Sequence, residues 1–309
     1  MSRIFACLLS FYVLLVFPGI GLAEFLRVSL LGTGSPRIDT DRAGPSVLLE
    51  VGGKTLLFDA GRGVVQRLTQ LEIPIANINT VFLTHLHSDH LFALDDLWIT
   101  GWVYQRSHPL EVYGPVGSAN LIEGLKQAYT YDVNIRNQYS GLDKNAIRFI
   151  ANEIEPGVVY SQDRVKVTAF HVDHGAVSPA FGYRIDFGDR TVVISGDTTY
   201  TESLVAHARG ADVLIHEILA AHPDLLRKNR RLQRIERYHT NLEQMSRILD
   251  ETRPKLTVLT HVILAGMSRD AVMQRLRQTY DGEVHMGEDL TRIEVGNRVR
   301  MLPFKGLRN

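Results

Sequence analysis

The chain has 309 residues, 45% hydrophobic and 22% charged, with 34 basic and 34 acidic side chains. That composition excludes a disordered tail, a collagen-like repeat and a disulfide scaffold, and the length allows one large domain or two small ones. The zero formal charge lacks the basic excess of a protein dedicated to polyanions, which disfavours nucleic acid as a partner.

The first element is an apolar run. Arg3 is followed by IFACLLSFYVLLVFPGIGLA and then Glu24. A basic start, an apolar stretch and small residues at Gly21 and Ala23 predict a signal peptide over 1–23, cleaved after Ala23. An uncleaved anchor is the alternative, but the run is near the lower limit for a span. Cleavage implies an exported, periplasmic or secreted protein without stable membrane association, and one domain over 24–309. Cys7 is the single cysteine and lies in this leader. The mature chain then has neither a disulfide nor a thiolate site, and any transition metal must be held by His, Asp and Glu.

Beyond the leader, β-rich runs alternate with helical patterns. Strands are predicted at 26–31, 46–51, 54–58, 79–84, 110–113, 165–170, 181–186, 191–195, 212–215 and 256–260 from their Val/Ile/Leu/Thr content and bounding turn residues. Helices are predicted at 62–71, 91–105, 117–130, 200–208, 221–237, 241–251 and 268–279. Strands lead into polar turns: FDAG at 58–61, THLHSDH at 84–90, SGDT at 195–198, HE at 216–217 and TH at 260–261. Polar clusters at strand ends of an α/β protein usually form one site, and sheets covered by helices are the expected architecture.

THLHSDH carries four potential ligands in six positions: His85, His87, Asp89 and His90. His85 and His87 point the same way if strand geometry persists, whereas Asp89 and His90 follow a turn and can address a second point. The pattern suits two adjacent metals better than one, with zinc first and manganese or iron also compatible.

This motif after a strand resembles the first metal motif of the metallo-β-lactamase superfamily. LGTGSP at 31–36, LLFDAG at 56–61, VDHGAVSPAFGYRI at 172–185, ISGDTTY at 194–200, LIHE at 214–217, YHTNLEQ at 238–244 and LTH at 259–261 continue the resemblance in order. It is nearest to the tRNase Z and arylsulfatase-like branch and implies an αββα sandwich with metals at one edge. The resemblance implies one metal on His85, His87 and His174, a second on Asp89, His90 and His261, and Asp197 bridging. His171 competes with His174, which is favoured because it leads directly into Gly182-Tyr183. Two such ions could share a hydroxide, with Asp89 as proton acceptor. His239 matches the histidine of an HST-like motif and is expected to act as general acid or oxyanion donor, although a plain helix-entry role is the alternative. Glu217 could orient a ligand or His239, or be an exposed strand-end acid. His216 is expected to be structural.

Residues 227–237 read RKNRRLQRIER, six basic side chains against one acid. They form either an electropositive wall for an anionic substrate or a solvated helix face. Trp98, Trp102 and Tyr104 could line an apolar pocket or belong to the core. A small anionic ester, phosphodiester or aryl sulfate, is the expected substrate. Against tRNA processing stand the leader, the neutral charge and the short segment between Ile185 and Asp197, where tRNase Z carries a clamping arm. A tRNase Z-like endoribonuclease, a lactonase and a non-enzymatic metal-binding protein are the alternatives, and a homodimer is compatible with the sequence.

Overall fold

The computed structural model describes residues 26–302; the leader predicted at 1–23 lies outside them. Two sheets stack face to face. The first comprises β1 (Leu26–Gly32), β2 (Ser46–Val51), β3 (Lys54–Phe58), β4 (Thr80–Phe82), β5 (Leu110–Gly114) and β6 (Phe149–Glu153). The second comprises β7 (Gly157–Gln162), β8 (Val165–His171), β9 (Phe181–Phe187), β10 (Arg190–Ile194), β11 (Val213–Ala221), β12 (Leu256–Ala265) and β13 (Val284–Met286). A final hairpin, β14 (Arg292–Val295) and β15 (Val299–Leu302), returns to the first sheet. The orders are β15-β14-β1-β2-β3-β4-β5-β6 and β13-β12-β11-β10-β9-β8-β7.

Helices cover both outer faces. The first sheet carries α1 (Val64–Gln70), α2 (Leu94–Val103), α3 (Ser118–Ala128) and α4 (Thr130–Tyr139). The second carries α5 (Glu202–Ala208), α6 (Pro223–Lys228), α7 (Arg230–Glu236), α8 (Leu242–Thr252) and α9 (Arg269–Thr279). This is the αββα sandwich expected. Strands buried on both faces explain their near-continuous apolar sequences. Leu56 and Phe58 of β3 enter the core between the sheets, while Leu57 packs outward against α1 and α2. In α8, a capping box of Asn241 and Gln244 fixes the start. Met245, Ile248, Leu249 and Thr252 then fall on one buried stripe.

Several predicted boundaries move. The predicted strand 212–215 extends to Ala221 and 256–260 to Ala265, so residues 216–217 and 260–261 lie inside strands and not in turns. The predicted helix 221–237 is two helices, because Asn229 leaves helical geometry and its side chain caps α7 at Arg231 N and Leu232 N. Strands β6, β7 and β13–β15 and helix α4 have no counterpart in the sequence reading. Most are short, half-buried or at sheet edges, where alternation is weak, and α4 buries no residue.

Within each sheet one run of strands is parallel: β3 to β6 in the first, β10 to β13 in the second. The segments that follow β4 and β10, and the middles of the long strands β11 and β12, meet at one edge of the sandwich. Ligand sites outside the carboxyl ends of parallel strands follow the general rule for α/β sheets.

Candidate metal centre

The chain leaves β4 at Phe82 and runs through Thr84–His90 before α2. Ring nitrogens converge there: His87 Nδ1 lies 3.1 Å from His85 Nε2 and 3.2 Å from His174 Nε2. Beside them Asp89 Oδ2 lies 3.3 Å from His261 Nε2 and 3.6 Å from His90 Nε2. Asp197, just beyond β10, touches both groups. Its Oδ2 is 3.2 Å from His261 Nε2, 3.4 Å from His90 Nε2, and 3.9 Å from both His85 Nε2 and His174 Nε2. His85/His87/His174 and Asp89/His90/His261 each bring their ligand atoms within 4.8 Å of one another.

The rings are aimed from behind. Asp59 Oδ2 accepts from His90 Nδ1 at 2.7 Å, and its carboxylate also takes the Thr84 N–H at 2.8 Å and the Thr84 hydroxyl at 2.9 Å. The Thr84 hydroxyl in turn accepts from His85 Nδ1 at 3.0 Å. His174 Nδ1 donates to the Tyr238 carbonyl at 2.9 Å. In the neutral rings these bonds take up Nδ1–H and leave Nε2 as the ligand atom. Backbone packing holds this floor. A Cβ on Gly61 would lie 2.4 Å from the Gly44 carbonyl carbon and 2.7 Å from Asp89 O, so only glycine admits that approach.

His261 reaches the site through a β-bulge. In the β11–β12 ladder Glu217 pairs with Thr260 and Ile218 with Val262, so His261 is the extra residue. Its φ is +42°, a left-handed conformation rarely adopted by side-chain-bearing residues and often found at functional sites.

Electrostatics follow from burial and the carboxylates. Burial pushes His85 well below the ordinary histidine value and lowers His87 and His174. Neutral imidazole is the form that binds metal. Burial opposes charge on His90, but Asp197 and Asp59 outweigh it and hold that ring well above its ordinary value. For Asp197 the burial penalty is overcome by His261 and His90, which hold its carboxyl well below the usual range. Two buried polar atoms, His90 Nε2 and Asp197 Oδ1, have no hydrogen-bond partner. Next to them is a cavity of about 20 Å³ bounded in part by Asp59, His90, Asp197 and His261. Orphaned ligand atoms around a small space, with imidazole and carboxylate donors and no sulfur, fit a divalent metal, zinc above all.

A second layer faces the same space. Glu217 is fully buried, so it is not an exposed strand-end acid. Its Oε1 accepts from His239 Nδ1 at 3.0 Å, Thr240 N at 2.9 Å and Thr198 N at 3.2 Å. The His239 ring stacks on His261 at 5.4 Å and meets His174 edge-on at 5.0 Å. Burial opposes its charge, but Glu217 and then Asp197 prevail and raise it to about 9.

Other positions separate cleanly. His171 is exposed, packs on Phe181 and joins neither group. His216 is buried, with Nδ1 2.7 Å from the Glu217 carbonyl, and joins none of the ligand groups. Trp98 and Trp102 are core residues whose indoles donate to Ile147 O and Asp143 O; Trp98 also borders a surface cleft with Lys126, Thr130 and Phe149, but no residue of the ligand groups lines that cleft. Asp59 and Thr84 carry no motif that marks them as supports in the sequence. The available signal was a carboxylate ending an apolar strand in FDAG, but its partner His90 is 31 residues away.

Residues 54–262 match the Beta-lactamase superfamily domain. Ribonuclease Z from Mycobacterium bovis is 34% identical over 278 residues, 88% of this chain and 99% of its own length. Ribonuclease Z from Mycobacterium marinum is 35% identical over 280 residues, 88% and 100% of the two chains. Human tRNase Z, short form, superposes with a TM-score of 0.67 at 24% identity over 87% of this chain and 99% of that one. The metallo-beta-lactamase fold protein YhfI from Bacillus subtilis gives 0.68 at 21% identity over 88% and 100%. The chain belongs to the beta-lactamase superfamily of metal-dependent hydrolases and is a homologue of ribonuclease Z.

Proposed function

We propose that this member of the beta-lactamase superfamily is a two-metal phosphodiesterase that cleaves at an RNA 3′ end. The observation that carries the chemistry is the Glu217–His239 pair, set against two ligand groups that share Asp197. His85, His87 and His174 would hold one ion, Asp89, His90 and His261 the other, and Asp197 both. When bound, divalent ions lower the pKa of water to about 7 and offset charge on the attacked group. The chain's own residues do the rest. The Asp89 carboxylate accepts the proton of the attacking water. With His239 Nδ1 donating to Glu217 Oε1, Nε2 of the charged ring delivers a proton to the leaving oxygen. Thr84, Asp59 and the Tyr238 carbonyl keep the ligand rings in register.

RNA as substrate is supported by the ribonuclease Z relatives. It replaces the preference for a small ester and reverses the case against nucleic acid. The short segment before Asp197 no longer counts against RNA. The Mycobacterium bovis ribonuclease Z aligns over 99% of its length with this chain, which leaves no room there for a long insertion that this chain lacks.

A small anionic ester is the second substrate class, and the same short segment is compatible with it. Strands β9 and β10 are joined by the tight turn at Gly188 and Asp189, with Phe187 paired to Arg190, so no clamping arm rises there. One panel under one metal condition separates the two: 3′-extended precursor tRNA, an aryl phosphodiester, an aryl sulfate, a lactone and a β-lactam. Site-specific cleavage of the precursor with the highest kcat/KM supports the RNA reading. Efficient turnover of a small ester with no RNA cleavage overturns it.

Export with cleavage after Ala23 is proposed on the N-terminal sequence alone. Protein from its native host should then begin at Glu24; a chain starting at Met1 refutes it. An exported enzyme of this kind would meet RNA outside the cytosol.

A further inference from the structure

Between Ala221, the end of β11, and His239 the chain builds a knuckle of two short helices, α6 and α7. It leaves β11 four residues after Glu217 and returns to the site at His239. The knuckle is tied together. Asn229 caps α7, and the Gln233 side-chain amide donates to Leu226 O at 2.9 Å and Arg227 O at 3.2 Å. Leu232 is buried and anchors α7 to the body. The outer surface is cationic. Arg227, Lys228, Arg230, Arg231, Arg234 and Arg237 are all exposed. Of these, only Arg227 has an acidic partner among the described residues, Asp224.

We propose that the exposed cations of α6 and α7 form a docking surface for the phosphate backbone of RNA, outside the ligand groups and beside them. The proposal rests on the RNA reading above and names a surface that the reading does not use. The charge balance supports it. The whole chain is neutral, so a stretch with six cations against one acid is a local excess over a net acidic remainder. Arg230 and Arg234 lie one turn apart on one face, about 6 Å along the axis, and Arg237 continues that side toward His239. Seven helical residues span about 10 Å, close to the Debye length of about 8 Å at physiological salt, so the cations act together on an approaching strand. Five of the six are arginines, whose planar forks bind phosphate oxygens in pairs. A membrane surface is a poorer occupant. Leu225 is the one large hydrophobic side chain well exposed on the knuckle, whereas interfacial helices bury an apolar face in lipid.

The test separates binding from cleavage. Full-length, metal-loaded His239→Ala protein is titrated with labelled 3′-extended precursor tRNA at several salt concentrations. The combined variant Arg230→Ala/Arg231→Ala/Arg234→Ala in that background should bind more weakly by about tenfold or more. Its log–log salt slope should be shallower by about 2 to 3, as expected for three lost phosphate contacts. Arg→Lys at the same three positions should restore most of the slope, since it keeps the charges. In protein that retains His239, the alanine variant should lose at least about tenfold more kcat/KM on RNA than on an aryl phosphodiester. An unchanged slope and affinity overturns the proposal. So does loss of binding to phosphatidylserine-containing vesicles with RNA binding intact. If the ridge binds RNA that the native enzyme never cleaves, the docking surface stands and the ribonuclease reading falls.

Discussion

His85, His87 and His174 form a group that opens to water through the exposed His87, while Asp89, His90 and His261 are all buried. Their supports differ in kind. The first group is steadied by neutral partners, the Thr84 hydroxyl and the Tyr238 carbonyl. In the second, His90 is backed by the Asp59 carboxylate at 2.7 Å. A carboxylate behind an imidazole makes it a stronger ligand, and burial slows exchange with solvent. Under the two-metal proposal the buried group is therefore the tenacious one. The open group exchanges its ion first and is the side that an incoming substrate meets.

Asp197→Ala should show the largest effect, because this carboxylate joins the two groups. Elemental analysis should fall from about two ions per chain toward none, with hydrolysis lost. Full metal content and activity would remove Asp197 from the shared position. Next is His239→Ala, expected to lower kcat by about 10² to 10⁴ with metal content intact. Loss of an ion on that change would make His239 a ligand. A smaller effect, confined to one group, should follow Asp59→Asn: about 10- to 100-fold weaker metal binding in chelator competition, with the other ion unaffected. Equal weakening of both ions would show that Asp59 works through Thr84 on His85 as much as on His90.

The smallest effect concerns proton linkage in metal-free protein. The folded value of His239, about 9, exceeds its ordinary 6.5. Its charged form is thus favoured by folding, and this contribution is fully present below about pH 6.5. It is lost as pH rises from there through 9. Melting temperatures across that window should fall for the native chain and fall less for Glu217→Gln. Parallel curves would mean that the pair does not set the charge on His239.

The contrast between the groups also explains what the sequence made legible. THLHSDH packs four ligand-type residues of both groups into one loop, so spacing alone exposes them. Asp59 is 25 residues from Thr84 and 31 from His90, and such pairing exists only in three dimensions. Glu217 and His261 sit inside strands because parallel pairing carries β11 and β12 beyond the apolar runs that define them in sequence. Asn229 divides a pattern that reads as one helix from 221 to 237, because a side-chain cap competes with helix continuation. The basic stretch at 227–237 is legible in the sequence, whereas its exposure beside His239 is given only by the fold.

Before the bulge at His261, residues of β11 pair with partners 43 positions later; after it, 44. Deleting His261 alone would restore one unbroken register through Val262–Ala265 and remove a left-handed residue from the middle of a ladder. The bulge thus gives up ladder regularity at one residue to aim a ligand at the site, and its removal would leave a regular strand without that ligand.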